Sequence, residues 1–212
     1  MRQVFCIAAA AAVIAFGTAA NADIINIEGL SNQSLEGLGQ FQGSIEYNFL
    51  SDNHGQLLIN LTNTSDPGNG GYITALIFNI GAPERSGADT AALIYATHPA
   101  LVNISGPEIN GAPFGNFDAG AGIGGQFEGG GNPSGGIGVG QSGMFEFLVD
   151  SGYASVLSAS SFIDGPNEFN FVARFRGFAN GGSDKVPVPV PGSVALMGLG
   201  ALLISSRRRR TL

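Results

Sequence analysis

The side chains best suited to chemistry are carboxylates in loop-like parts of the sequence. Six of them stand among glycine and asparagine residues: Asp52, Asp66, Asp89, Asp118, Glu128 and Asp164. Ca²⁺ prefers carboxylate and carbonyl oxygens, so a calcium site is one hypothesis, with Asp52, Asp66 and Asp118 as its candidate ligands. Loop aspartates also hydrogen-bond their own backbone in ordinary turns. The sequence therefore allows calcium binding but predicts no cofactor that the protein requires.

Other catalytic signatures are missing from the sequence. The two histidines, His54 and His98, stand in a turn and before Pro99, where solvated loop side chains are common. There is no G-x-S-x-G, H-E-x-x-H, P-loop or EF-hand pattern. A glycosidase needs a pair of carboxylates, and no spacing here selects a pair. We therefore expect no enzymatic activity and predict no catalytic residue.

Charge is divided between the ends of the chain and its middle. The 212 residues carry a formal net charge of −7, and only 12% of them are charged, against about 25% in an ordinary soluble domain. Residues 23–185 contain sixteen acidic and four basic side chains, a formal charge of −12. Nucleic acids and anionic lipids are bound by clustered Lys and Arg, so neither is an expected partner of this middle part.

The amino terminus has the features of an export signal. A basic residue at position 2 precedes an uninterrupted apolar run, Val4 to Phe16. Small residues, Ala20 and Ala22, then occupy the −3 and −1 positions of a cleavage site before Asp23. The sequence thus predicts a signal peptide over residues 1–22. The single cysteine lies inside it, so the mature chain has none and its fold must be held by packing.

The carboxyl terminus changes composition at residue 186. Residues 186–191 alternate Val with Pro and, with Gly192 and Ser193, predict an extended linker over 186–193, because proline fixes φ and removes a hydrogen-bond donor. Residues 194–206 are apolar and, as a helix of about 1.5 Å per residue, reach about 20 Å, short of the ~30 Å bilayer core. The basic tail, residues 207–212, would stay on the cytoplasmic side through Arg207, Arg208, Arg209 and Arg210. A permanent single-span anchor is the alternative.

This tail resembles the PEP-CTERM sorting signal of Gram-negative bacteria. The matching residues are Val188, Pro189, Val190, Pro191, Gly192 and Ser193, followed by the apolar run and the arginines. The commonest form of the signal has Glu where this chain has Val190. The resemblance implies processing by exosortase, a transpeptidase-like membrane protease, with the membrane as a transient partner. It also implies delivery to the cell surface or the exopolysaccharide matrix.

The middle of the chain, residues 23–185, predicts β-strands. Ile45, Tyr47 and Phe49 alternate with polar residues, a turn follows at 51–55, and the alternation resumes to residue 61, which predicts a hairpin with one buried face. Similar alternation follows at 145–150 and 169–176, whereas 72–80 is apolar on both faces, as in a central strand of a two-layer structure. No sustained helical period occurs there. We expect an all-β domain, an antiparallel β-sandwich or jelly roll.

A glycine-rich stretch interrupts these strands between residues 111 and 143. Because glycine loses much backbone entropy on folding, we expect long loops there. Three aromatic residues, Phe114, Phe117 and Phe127, are predicted to pin these loops to the domain. A flexible self-associating surface is the alternative.

These features lead to three hypotheses about function. The first is an exported, non-enzymatic surface or matrix protein associated with extracellular polysaccharide. The second is a carbohydrate- or calcium-binding module, which rests on the fold class and the acidic loops. The third is a secreted enzyme that acts on polysaccharide.

Overall fold

The computed structural model describes residues 23–81, 89–104, 106, 108–164 and 168–189. In these ranges the chain forms thirteen β-strands and four short 3-10 helices, and all strand pairs are antiparallel. The all-β prediction is confirmed. The predicted signal peptide, apolar run and basic tail lie outside the described residues.

The first sheet, sheet A, contains five strands. In spatial order they are β1 (Asp23–Gly29), β2 (Phe41–Ser51), β3 (His54–Asn63), β11 (Ser142–Asp150) and β5 (Thr90–Ala96). The alternation in β2 buries Ile45 and Tyr47 on one face. Asp52 makes the turn to β3 with φ of 40°, a left-handed conformation that aspartate tolerates. The predicted hairpin is confirmed, except that Phe49, expected on its buried face, is exposed.

The second sheet, sheet B, also has five strands along its main path. In spatial order they are β13 (Ser183–Pro189), β12 (Phe169–Phe178), β4 (Gly70–Phe78), β9 (Ala119–Ile123) and β6 (Leu101–Asn103). A short strand, β10 (Ile137–Gly138), also pairs with β4. Two further strands, β7 (Ile109–Asn110) and β8 (Asn116–Phe117), form a separate small ladder.

The two sheets face each other across one apolar core. Phe78 of β4 meets Phe147 of β11 edge to face, with ring centres 5.0 Å apart. Phe41 of β2 lies 6.1 Å from Phe171 of β12. Each of these four rings is at most 1% exposed, so truncating one would cost about 3 to 5 kcal/mol. Aromatic packing therefore joins the two layers.

A smaller apolar cluster covers the outer face of sheet B. Ile77 of β4 and Val172 of β12 pack there against Phe117 and Phe127, which come from the glycine-rich stretch, with Phe114 beside them. Phe117 and Phe127 are buried, so the prediction that aromatic residues pin this stretch is confirmed. The second cluster explains why β4 is apolar on both faces: it has a core on each side.

The prediction of loops throughout residues 111–143 is wrong in part. Strand β9 lies inside sheet B between β4 and β6, and all five of its residues are buried. A Cβ on Gly120 would stand 2.4 Å from the backbone oxygen of Leu76, so only glycine permits this approach. The entropic penalty of glycine is therefore outweighed by a contact that no larger residue could make.

The predicted linker over residues 186–193 is also wrong in its first half. Residues 186–189 belong to β13, so the domain extends to Pro189 and not only to residue 185. Val186 and Val188 are buried in the main core. Because β13 is an edge strand, one side of its backbone needs no ladder partner, and its prolines are tolerated there. Residues 190–193 lie outside the described part of the chain.

The connection between β1 and β2 covers the first residues of β13 at the free edge of sheet B. Asp184 is 2% exposed, and its carboxylate anchors this connection. Its donors there are the Ser34 hydroxyl at 2.7 Å and the backbone N–H groups of Glu36, Leu38 and Gly39 at 2.9 Å each. The backbone N–H of Leu35 also donates to the oxygen of Lys185. An open strand edge invites pairing with other chains, and this connection protects the first residues of β13 from it.

Candidate functional site

The outer face of sheet A contains a polar groove of about 580 Å³. The strand register sets Asn26, Ser44 and Asn60 side by side on β1, β2 and β3. A second row lies two residues further along the strands and consists of Glu28, Gln42 and Thr62. Since residues two apart share one face of a strand, both rows face the groove.

Most polar side chains of the groove have unused hydrogen-bond donors and acceptors. Thr62 shares a hydrogen bond of 2.7 Å with Ser142, whereas Asn26, Gln42, Ser44 and Asn60 have no side-chain partner among the described residues. An amide both donates and accepts, and so does a hydroxyl. The face is therefore complementary to a ligand rich in hydroxyl groups.

The backbone of β2 forms part of the groove floor at Gly43, between the two rows. A Cβ on Gly43 would stand 2.0 Å from the backbone oxygen of Asn60, so a side chain there would crowd β3. Glu28 is the one carboxylate among the described residues that line the groove. Most glycoside hydrolases use a pair of carboxylates, and the described lining of this groove supplies one.

A cluster of three cations on the outer face of sheet B holds the glycine-rich stretch in place. It consists of Arg174, Arg176 and Lys185, and we call it the cation clip. Arg174 donates to the backbone oxygen of Phe127 at 2.8 Å, and Arg176 donates to the backbone oxygen of Gly129 at 3.1 Å. The ammonium group of Lys185 pairs with the Glu128 carboxylate. The ammonium also lies 5.6 Å from the ring centre of Phe127, within range of a cation–π contact.

The charges of the cation clip interact with groups of the domain itself. Burial lowers the pKa of the Arg174 guanidinium, Glu128 raises it, and the neighbouring charge of Arg176 lowers it. The Glu128 carboxylate lies 3.6 Å from Arg174. All three basic residues that the structure describes are thus bound to carbonyls or a carboxylate. The remaining described charges are acidic, which disfavours anionic partners.

A buried tyrosine fixes one end of the domain. Tyr47 is 4% exposed, and its hydroxyl donates to the backbone oxygen of Ala154 at 2.8 Å. Burial raises the pKa of Tyr47 to about 12, because the phenolate would be poorly solvated there. Its hydrogen bond and burial give it a structural role.

The candidate calcium ligands occupy separate turns. Asp52 lies in the β2–β3 turn, Asp66 accepts from the backbone N–H of Gly68 at 2.7 Å, and Asp118 accepts from that of Ile80 at 2.8 Å. No group of three or more His, Cys, Asp or Glu side chains suited to a metal occurs among the described residues. The contact of Asp66 matches the ordinary role of loop aspartates, whereas Asp118 binds the backbone of a residue 38 positions earlier in the chain.

The sorting residues fall on both sides of the boundary of the described chain. Asp23 begins β1, and Val188 and Pro189 end β13. The other predicted sorting residues lie outside: Ala20, Ala22, Val190, Pro191, Gly192, Ser193, Arg207, Arg208, Arg209 and Arg210. Within the described ranges, no helix combines the length and apolar character that crossing a membrane would require.

Comparison with protein-family models, curated proteins and solved structures finds no match to this chain. The groove, the clip and the two ends of the domain therefore carry the functional argument.

Proposed function

We propose that this protein is an exported, non-enzymatic surface or matrix protein that binds extracellular polysaccharide through the groove of sheet A. The predicted signal peptide would direct export from a Gram-negative cell, and the PEP-CTERM-like tail would hold the precursor at the membrane until an exosortase-type protease acts. In this proposal the domain is a β-sandwich of the jelly-roll kind. Calcium binding by Asp52, Asp66 or Asp118 stays a separate prediction.

The observation that carries the binding proposal is the pair of amide and hydroxyl rows in the groove. A polysaccharide presents hydroxyl groups that both donate and accept, and the groove offers the same pairing. An open groove also accommodates an extended polysaccharide chain better than an enclosed pocket does. The acidic charge of the domain favours neutral over anionic polysaccharides as ligands.

The burial of β13 supports a processing site that lies beyond Pro189. Val186 and Val188 are buried in the core, and Pro189 pairs with Phe169. A protease needs an accessible, extended segment, which residues 186–189 do not offer while β13 is paired. We therefore expect cleavage after Pro189, within residues 190–193, so that the mature domain keeps its last strand.

The groove is tested by binding to exopolysaccharide isolated from the cells that produce the protein, measured by calorimetry. Replacing Gln42 and Asn60 together with Ala removes two hydrogen-bonding side chains at about 1 kcal/mol each, so binding should weaken about 30-fold. The matched control is Asn48→Ala, on the same strand outside the groove, where the amide contacts Glu46. Its binding should equal that of the native protein.

Two results would overturn the binding proposal. One is native protein that produces no heat with the isolated polysaccharide. The other is equal affinity of the double variant and the native protein. A variant that cleaves the polysaccharide more slowly than an active native protein would favour the enzyme hypothesis instead.

A further inference from the structure

Both ends of the described chain lie at the same end of the domain. In sheet A, Asp23 begins β1 opposite Tyr47 of β2. In sheet B, Pro189 ends β13 opposite Phe169, the first residue of β12. Strands β1 and β13 are the edge strands of their sheets and contact each other.

One aromatic residue links these strand ends across the two sheets. Phe162 lies 5.5 Å from the ring centre of Tyr47 in sheet A and 5.9 Å from that of Phe78 in sheet B. Phe78 in turn pairs with Phe171, two residues after Phe169. The beginning of β1, the end of β2 and the end of β13 therefore share one end of the domain, which we call the terminal end.

The terminal end exposes large apolar side chains. Phe49 and Leu50, at the end of β2, are 42% and 54% exposed, and Val156 is 64% exposed. Val156 belongs to the 3-10 helix Ala154–Val156, which contacts β2 and β3. The Tyr47 hydroxyl holds this helix at the end of β2 through Ala154. The three residues therefore lie on neighbouring elements, and such exposed apolar clusters commonly mark contact surfaces.

The sequence limits how far this end can stand from a bilayer. Only residues 190–193 separate Pro189 from the apolar run of 194–206. At ~3.5 Å per residue, four residues span at most about 14 Å. When the run occupies the membrane, the terminal end is held next to the lipid headgroups. A short tether also raises the effective concentration of the bilayer surface at the terminal end. A weak apolar contact is then enough to hold the terminal end against the bilayer.

We propose that the terminal end is a membrane-facing surface, and that Phe49, Leu50 and Val156 enter the interface of the bilayer that holds the precursor. The inference rests on the proposed membrane insertion of the tail. Asp52, in the β2–β3 turn, and Asp150, opposite His54, lie at the same end, so the surface fits zwitterionic phospholipid better than anionic lipid. The membrane thus orients the domain, with the far end of both sheets directed away from the lipid.

The test uses the chain from Asp23 to Leu212, which contains no cysteine. Single cysteines for a polarity-sensitive fluorophore are introduced as Leu50→Cys, Val156→Cys and Ser183→Cys. Ser183 is the matched control, because it is exposed and begins the strand that Pro189 ends. The proteins are reconstituted with phosphatidylcholine vesicles that carry a quencher on the lipid headgroup, and flotation measures vesicle association.

We expect all three proteins to float with the vesicles. The labels at 50 and 156 should shift to shorter wavelength and be quenched, and the label at 183 should do neither. Replacing Phe49 and Val156 with Ser in the Leu50→Cys protein should abolish quenching without preventing flotation. Equal quenching at 50 and 183 in the floating protein, or none at 50, would overturn the inference alone. Failure to float would overturn tail insertion and the inference together.

Discussion

Replacing Asp184 with Asn is predicted to be among the most destabilising changes of a single atom in the domain. One oxygen of this carboxylate accepts from Ser34, Leu38 and Gly39, and the other accepts from the backbone N–H groups of Glu36 and Lys185. Asparagine has nearly the same shape but turns one acceptor into a donor. Whichever oxygen is replaced, at least two backbone N–H groups then face an NH₂ group.

The structure gives the size of this effect. A hydrogen bond to a charged group contributes about 1.5 to 3 kcal/mol, so losing two costs about 3 to 6 kcal/mol. The total stability of a domain is about 5 to 15 kcal/mol, and the variant would lose a large share of it. Because Asp184 anchors the cover of β13, residues 183–189 should also lose protection from hydrogen exchange.

Urea unfolding followed by circular dichroism measures the change in free energy of unfolding. The control is Asp66→Asn, which alters an exposed carboxylate with a local bond to Gly68, and its cost should stay within about 1 kcal/mol. Hydrogen exchange with mass spectrometry reports on residues 183–189. A loss below about 1 kcal/mol for Asp184→Asn would refute the anchoring role of this carboxylate.

Three further predictions concern the clip, the buried tyrosine and the groove floor. Arg174→Gln removes a charged bond to the glycine-rich stretch and should cost about 2 to 3 kcal/mol in urea unfolding; unchanged stability would contradict the clip. The pKa of Tyr47 is about 12 in the folded protein, against 10.0 for an ordinary tyrosine. The contribution of its burial to the free energy of unfolding is therefore complete below pH 10, and this free energy should be lower by about 2 to 3 kcal/mol at pH 12. The Tyr47→Phe variant should not show this loss of stability between pH 10 and pH 12. The same dependence of stability on pH in the variant and the native protein would contradict the raised pKa of Tyr47. Gly43→Ala should cost about 1 to 3 kcal/mol by crowding β3, whereas Gly152→Ala, with open space around it, should be neutral; equal costs would contradict the close approach.

The sequence predicts the strands of this domain well wherever one face is apolar. The alternation at Ile45 and Tyr47 marks β2 because period-two patterning reflects burial of one face. Strand β9 escapes such reasoning, because glycine and alanine carry no alternation signal. Its position follows from the close approach of Gly120 to β4, which only the tertiary structure reveals.

Strand β13 shows how local propensity can mislead. Proline indicates a linker when the neighbours are unknown, yet Val186 and Val188 recur at the spacing of a buried strand face. An edge position makes both signals compatible. The Val-Pro repeat could therefore have been interpreted as an edge strand, had the burial of the two valines been anticipated.

The sequence predicts the polar residues of the groove but not their arrangement. Gln42 and Ser44 stand on the polar side of the β2 alternation, where they look like ordinary solvent-facing residues. Their alignment with Asn26 and Asn60 depends on the register of three strands, which hairpin geometry and the covering β1–β2 connection set together. Pairwise register is a tertiary property, so the two polar rows do not appear in the sequence pattern.

The most direct test of the account is the intact mass of the native protein, with its terminal peptides, from separated cytoplasmic, membrane and extracellular fractions. We predict an extracellular form that begins at Asp23 and ends within residues 190–193, after the last residue of β13. Any additional mass would identify an attached group. Full-length protein confined to the cytoplasm, or an extracellular form that ends inside residues 186–189, would contradict the account.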